Sequence, residues 1–122
     1  MGPEAKLYKK IKKATPTISW NRIENLAVPG MPDALGYNKY NQFFTVEFKV
    51  TKSNKVRFSP HQVGWHMRHP YNTFILAESL GSGCLRLYEG AVVRELVACG
   101  LTLEPCASEL DACCLKLETL GR

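Results

Sequence analysis

Residues 32–49 read PDALGYNKYNQFFTVEFK, and this stretch predicts a hairpin of two short strands. Residues 38–41 supply the turn, because Asn tolerates turn conformations. In the second strand, successive side chains point to opposite faces. The apolar face, which belongs in a core, consists of Phe44, Val46, Phe48 and Val50. The opposite face consists of Phe43, Thr45, Glu47 and Lys49. The hairpin therefore predicts a carboxylate and an ammonium side by side on a surface.

The same hairpin brings a second carboxylate to that surface. Folding at the turn places Asp33 opposite residue 46 or 47, and directly opposed Cβ atoms lie about 4.5–5.5 Å apart. Two carboxylates at this separation repel each other unless a positive charge lies between them. A Mg²⁺ ion held by carboxylate oxygens and waters would supply that charge. Lys49 lies roughly 6.6 Å further along the strand than Glu47, where it would reach an attacking water or a phosphate oxygen.

Length and composition indicate one soluble domain. The chain has 122 residues, no apolar run of membrane-spanning length and no signal-peptide pattern at its start, so we expect a cytoplasmic protein. Five cysteines are an odd number, and no CxxC pair occurs. Reduced thiols are therefore expected, and a zinc site is not.

The charge is unevenly distributed along the chain. Residues 1–70 contain twelve Lys or Arg and four Asp or Glu, a net charge of +8, whereas residues 71–122 carry −3. A basic half favours a polyanionic partner. Two of its four acids, Asp33 and Glu47, face each other in the predicted hairpin, which argues against acids that merely solvate the surface.

The remaining patterns predict a mixed α/β domain. Predicted helices cover residues 4–14, 60–68, 91–98 and 108–120, and further strands cover 17–23, 56–58, 73–78 and 84–88. We divide the single domain into a basic N-terminal helix (1–16), a core (17–98) and a C-terminal helical segment (99–122). The third helix should bury Val92, Val93, Leu96 and Val97, and the last should be capped by Ser108 with Asp111.

The first helix carries many lysines, for which two interpretations remain open. These side chains either solvate a surface helix or contact phosphates, and the basic half favours contact. The candidate DNA-binding residues are Lys6, Lys9, Lys10, Lys12, Lys13, Arg22, Lys52, Lys55 and Arg57.

The second helix has a clear start signal. Ser59 suits the N-cap, Pro60 the first helical position and Gln62 the third, which together predict a capping box. Gln62 also lies over the charged face of the hairpin. The nearby His61, His66 and His69 are expected to be partly exposed or to contact DNA.

Several of these segments resemble the PD-(D/E)XK nucleases, and their VRR-NUC branch in particular. The matching segments, in chain order, are Trp20–Glu24, Pro29–Asp33, Val46–Lys49 and Ser59–Gln62. The resemblance covers roughly residues 18–90 and is close to the small stand-alone members often encoded by phages. It implies a restriction-endonuclease-like mixed sheet flanked by helices, with the active site on a central hairpin.

The resemblance also implies particular roles. Asp33 and Glu47 would hold Mg²⁺ or Mn²⁺ with the backbone carbonyl of Phe48, and Lys49 would position or polarise the attacking water. Gln62 would support the site, and Glu24 is similar to an additional upstream acid. Small stand-alone members resemble Holliday-junction resolvases and act as homodimers on branched DNA.

Three functions follow from these observations. The first is a Mg²⁺-dependent, structure-selective endonuclease such as a junction resolvase. The second is a restriction-type or nicking nuclease acting on ordinary duplex, although no recognition domain is evident from the sequence. The third is a non-catalytic DNA-binding protein in which Glu47 and Lys49 form an ordinary surface ion pair.

Overall fold

The computed structural model describes residues 2–23 and 28–122, which form a mixed α/β fold with one open sheet. Within these residues the strands are β1 (Ser19–Arg22), β2 (Ala34–Tyr37), β3 (Phe43–Thr51), β4 (Thr73–Ser79), β5 (Leu85–Glu89) and β6 (Ala107–Ser108). The helices are α1 (Pro3–Ala14), α2 (Pro60–Arg68), α3 (Val93–Cys99) and α4 (Leu110–Glu118). Single 3₁₀ turns lie at Gly90–Val92 and Gly100–Thr102.

The strands lie in the sheet in chain order, and β3 and β4 are the one parallel pair among those described. A parallel pair needs a crossover connection, which α2 provides. Helices cover both faces. The core on the α1 and α4 face includes Leu7, Ile11, Phe44, Val46, Phe48, Leu76 and Leu117. The core on the α2 and α3 face includes Val56, Ile75, Ala77, Tyr88, Val93 and Leu96.

The predicted hairpin is present as β2 and β3. Its register pairs Ala34 with Val46 and Tyr37 with Phe43, so the loop has one residue more than predicted. Asn38 organises this loop and is buried, with its side-chain oxygen accepting hydrogen bonds from two loop N–H groups. Its amide nitrogen donates to the carbonyls of Leu117 and Leu120, at 2.9 and 2.8 Å. The turn is therefore fixed to the end of α4.

The prediction of a strand at residues 56–58 is wrong. After Thr51 the chain leaves the sheet, and these residues form neither strand nor helix. Val56 is buried in the core on the α2 and α3 face, against which Phe58 also packs. Apolar residues in an extended segment can be buried by covering a sheet as well as by joining one, and the residue pattern does not distinguish the two.

Other element boundaries also differ from the prediction. The strand β6 was not predicted from the sequence, and it pairs Ser108 with Arg86. Ser108 therefore does not cap α4, whose N-cap residue is Glu109 at a φ of +70°. Val97 was expected to be buried, but α3 buries Val93 and Leu96 and leaves Val97 41% exposed.

Two further findings concern the chain as a whole. All five cysteines are free thiols in the structure. Among the helices of residues 2–23 and 28–122, none has the length and apolar character needed to cross a bilayer.

Candidate active site

The site lies where β3 runs past the end of its neighbour. β2 begins at Ala34, opposite Val46, so no strand among the described residues pairs with Phe48 on that side. Asp33 directly precedes β2, and its Oδ2 accepts a hydrogen bond of 2.8 Å from the Phe48 N–H. Because the N–H and C=O of one residue point to the same side of a strand, the Phe48 carbonyl faces this open edge too. Asp33 and the Phe48 carbonyl thus lie on the same edge of β3.

Glu47 directly precedes Phe48 on β3. Its side chain was predicted to lie on a surface, but it is buried. Only 3% of the residue is exposed. Its Oε2 accepts a 3.1 Å hydrogen bond from Gln62 Nε2, while Oε1 is buried and has no partner among the described residues. Burial, and then the negative charge of Asp33, raise the pKa of the Glu47 carboxyl to about 9. An ionised Glu47 would therefore require additional positive charge at Oε1.

Gln62 links this carboxyl to the start of α2. The predicted capping box is present, with Gln62 N–H donating to Ser59 Oγ at 3.1 Å and Ser59 N–H donating to Gln62 Oε1 at 3.0 Å. The same Oε1 accepts a 2.9 Å hydrogen bond from Lys49 Nζ. One amide side chain therefore caps the helix, contacts Glu47 and orients Lys49.

Lys49 is held from three directions. Besides its bond to Gln62, its Nζ lies 4.0 Å from Glu47 Oε2 and 4.7 Å from the centroid of the Phe58 ring. The Lys49 charge lowers the pKa of Glu47, but burial and Asp33 outweigh it. The Lys49 ammonium is thus fixed beside Glu47, but its charge does not bring the pKa of Glu47 down to the ordinary value.

These groups line a cavity of about 630 Å³. Its wall includes Asp33, Glu47, Phe48, Lys49 and Gln62, together with the predicted DNA-binding residues Lys52, Lys55 and Arg57. All three cations belong to the segment after β3, of which only residues 56–58 were predicted as a strand. Acidic and basic side chains thus line the same cavity, whose volume is sufficient for a phosphate group.

Glu4 also lines the cavity, and the sequence reasoning missed it. It lies exposed in the first turn of α1, and its charge adds to those that raise the pKa of Glu47. Glu4 is one of only four acids in the basic half, which is the one signal the sequence offers. Its approach to Glu47 depends on how α1 packs against the sheet, and no local pattern specifies that packing.

The donor groups fit a hard divalent cation. Mg²⁺ prefers oxygen ligands and is usually bound through one or two carboxylates while keeping several waters. Asp33 and Glu47 supply the carboxylates, and the partnerless Glu47 Oε1 supplies an oxygen without a competing hydrogen bond. No group of three or more His, Cys, Asp or Glu side chains converges within residues 2–23 and 28–122. Glu24, proposed as an additional acid, lies outside the described residues.

The other predicted DNA-binding residues lie away from the cavity wall. Lys6, Lys9, Lys12 and Lys13 are exposed on α1. Lys10 pairs with Glu78 at 3.1 Å, and the Arg22 guanidinium lies 5.3 Å from the Tyr8 ring centroid. The structure therefore brings Lys52, Lys55 and Arg57 to the acids and leaves the basic face of α1 as a separate surface.

The prediction for the histidines is wrong in one case. His61 and His69 are exposed, but His66 is completely buried, and neither of its ring nitrogens has a partner among the described residues. Burial and the nearby Lys49 charge lower its pKa to about 4, so His66 is neutral at physiological pH. His66 therefore belongs to the packing beneath α2 and does not line the cavity.

The chain matched no protein-family model and no curated protein. The function must therefore be inferred from the residues and geometry of the site.

Proposed function

We propose that this chain is a divalent-cation-dependent endonuclease that hydrolyses DNA phosphodiester bonds. The observation that carries the proposal is Glu47 Oε1, a buried oxygen without a partner among the described residues. It belongs to a carboxyl whose pKa is raised by burial and by Asp33, in a cavity with a basic wall. A cation bound between the two carboxyls would stabilise both negative charges, which explains an arrangement that is otherwise unfavourable.

Each reactive group has a role that its position supports. Asp33, Glu47 and the Phe48 carbonyl would hold Mg²⁺ or Mn²⁺, which when bound polarises the phosphate and makes a bound water nucleophilic. Lys49 would stabilise the charge that develops on the phosphate oxygens or orient the attacking water. Gln62 is a positioning residue, because it contacts both Glu47 and Lys49 through the two ends of one amide.

The basic wall supplies the grip on the nucleic acid. Lys52, Lys55 and Arg57 contact phosphates on either side of the scissile bond in this proposal, and such contacts are independent of sequence. The lysines of α1, which lie outside the cavity wall, provide a second basic surface for phosphate contacts in this proposal. A mixed sheet whose hairpin carries the acids, followed by a crossover helix that carries Gln62, supports a restriction-endonuclease-like fold. We further propose a cytoplasmic homodimer acting on branched DNA, with one site for each strand cut.

A cleavage panel tests the proposal. Purified protein is incubated with Mg²⁺ and labelled four-way junction, flap, duplex and single-stranded DNA, beside Asp33→Ala and Lys49→Ala. The wild type should cut in Mg²⁺ and not in EDTA, and each variant should lose about 10²–10³-fold in rate. Preference for junctions would support a resolvase, and preference for linear duplex would support a nicking or restriction-type enzyme.

The matched control is Glu104→Ala, since Glu104 is exposed and lies outside the cavity. It should cleave like the wild type. Equal cleavage by Asp33→Ala would mean that the activity comes from a contaminant or another site. Calorimetry that detects no Mg²⁺ or Mn²⁺ binding in the presence of DNA would favour a non-catalytic binding protein.

A further inference from the structure

The loop that leads into Asp33 contacts the backbone of α2 at Gly30. A Cβ atom added to Gly30 would overlap the carbonyl oxygen of His61 and lie 2.9 Å from the amide nitrogen of Gln62. Gly30 also has a φ of +84°, a conformation that glycine adopts without the steric cost of a side chain. The loop therefore rests directly on the first turn of the helix that carries Gln62.

Asp33, three residues after Gly30, is held by both of the neighbouring strands. Its Oδ2 accepts the 2.8 Å hydrogen bond from the Phe48 N–H, and its backbone carbonyl accepts one of 2.8 Å from the Ile23 N–H. Pro32 directly before it is buried, and the ring of a proline restricts φ. The span from Gly30 to Asp33 is thus short and constrained, so a displacement of Gly30 would be transmitted to Asp33.

The side chain of Gln62 completes the connection between these segments. It contacts Glu47 and Lys49 on β3, and β3 in turn donates a backbone N–H to Asp33. The contacts form a closed ring, from the loop to α2, from α2 to β3, and from β3 back to the end of the loop. At Gly30 this ring is closed by a backbone contact that a side chain would prevent.

A side chain at Gly30 would displace the loop by a distance that matters for cation binding. Ordinary van der Waals contact for a Cβ atom begins at 3.4 Å, whereas the Gln62 nitrogen would lie at 2.9 Å and the His61 oxygen closer still. The loop would therefore have to move by about 0.5 Å or more. Binding groups must be held within about 0.5 Å of their productive positions, so a shift of this size is large enough to disturb the site.

We propose that Gly30 is a positioning residue, whose contact with α2 fixes Asp33 relative to Glu47 in the arrangement that binds a divalent cation. This inference rests on the proposed function. It assigns part of the affinity for the cation to a residue that has no side chain to act as a ligand.

Amide hydrogen exchange in EDTA tests the inference without a metal or a substrate. Gly30→Ala and Gly30→Asn should accelerate exchange of the Phe48 amide about 10- to 150-fold, because its hydrogen bond to the Asp33 carboxylate is lost. In calorimetry both variants should bind Mn²⁺ about 10- to 100-fold more weakly than the wild type. Asn tolerates positive φ, so equal effects of the two variants assign the loss to the added Cβ atom.

Gly83 supplies the matched control. It has a φ of +73° in the turn between β4 and β5, and no atom of the described residues lies within 4 Å of a Cβ added there. Gly83→Ala and Gly83→Asn should therefore keep the wild-type exchange rate at Phe48 and the wild-type affinity for Mn²⁺.

An unchanged exchange rate of the Phe48 amide in Gly30→Ala would overturn the inference, as would wild-type behaviour of Gly30→Asn. An equal acceleration in Gly83→Ala would also overturn it, because the added Cβ contact would then not be the cause. If neither Gly30 variant folds, native-state exchange of the wild type decides. The Phe48 and Gln62 amides should then share one opening free energy, and two different values would overturn the inference.

The failure of this inference and the failure of the nuclease proposal give different results. A wild type that cuts DNA, together with a Gly30→Ala variant that binds Mn²⁺ with unchanged affinity, would overturn the inference alone. If Phe48 exchange and Mn²⁺ affinity depend on Gly30 but the wild type cuts no DNA, the positioning inference stands and the nuclease proposal fails.

Discussion

Replacing Glu47 by glutamine should stabilise the protein, and the gain should depend on pH. In the folded chain the pKa of Glu47 is raised from 4.5 to about 9, because the carboxyl is buried beside Asp33. Between these values the unfolded chain binds fewer protons at this residue than the folded chain does. The free energy of unfolding of the wild type therefore falls by about 1.4 kcal/mol for each pH unit in this window.

The expected magnitude follows from that slope. From about pH 5 to about pH 7.5, Glu47 should cost the wild type up to about 3 kcal/mol of unfolding free energy. Glu47→Gln keeps the side-chain shape and can still contact Gln62, but it has no proton to lose. The difference in stability between variant and wild type should therefore grow by this amount as the pH rises.

Urea unfolding followed by tryptophan fluorescence measures the difference at both pH values in EDTA. His66 titrates in an overlapping range in both proteins, so it cancels in the comparison. Glu104→Gln, at an exposed position, serves as the control and should track the wild type at both pH values. Saturating Mn²⁺ should then stabilise the wild type at about pH 7.5 and leave Glu47→Gln nearly unchanged. A stability difference that is the same at both pH values would refute the reasoning about Glu47.

Four further variants test other parts of the site. Lys49→Met should reduce cleavage about 10²–10³-fold while leaving Mn²⁺ binding measurable by calorimetry, because Lys49 is not a ligand. Gln62→Ala should lower the free energy of unfolding by about 1 kcal/mol, because the capping box is lost, and it should also slow cleavage. Gln62→Glu should restore the capping box but not the rate of cleavage. As the pH falls from 6.5 towards 4, the lowered pKa of His66 should reduce the free energy of unfolding of the wild type by up to about 3 kcal/mol. His66→Leu should not show this loss of stability. Glu4→Gln should shift the pH dependence of Mn²⁺ affinity to lower pH, since the Glu4 charge raises the pKa of Glu47.

The parts of the fold that local patterns specify could be predicted from the sequence. Alternation along β3 assigned Phe44, Val46 and Phe48 to a core, and all three are buried. The Ser59–Gln62 spacing predicted the capping box, which is present. Both signals depend on residues that are close together in the sequence, so they can be read without knowledge of the tertiary structure.

The burial of Glu47 could not be predicted in the same way. Alternation places Glu47 on the face opposite the core residues, but it does not say that α2 and the segment after β3 cover that face. The same limit explains the error at residues 56–58, where Val56 is buried by covering the sheet rather than by joining it. Long-range packing decided each of these outcomes.

Short or distant features were also missed for physical reasons. The strand β6 has two residues, too few to show any alternation. Glu4 approaches the acids only because α1 packs across β3, a contact between segments about forty residues apart. Asp33, Glu47, Lys49 and Gln62 line one cavity, and their roles as site residues stay a prediction.

The most direct test of the central claim is the position of a bound cation. Crystals soaked in MnCl₂ and measured near the manganese absorption edge give an anomalous difference map. The account predicts a peak within direct coordination distance of carboxyl oxygens of both Asp33 and Glu47, and no such peak in Glu47→Gln. Cleavage of DNA in Mn²⁺ by a protein whose only manganese peak lies elsewhere would contradict it.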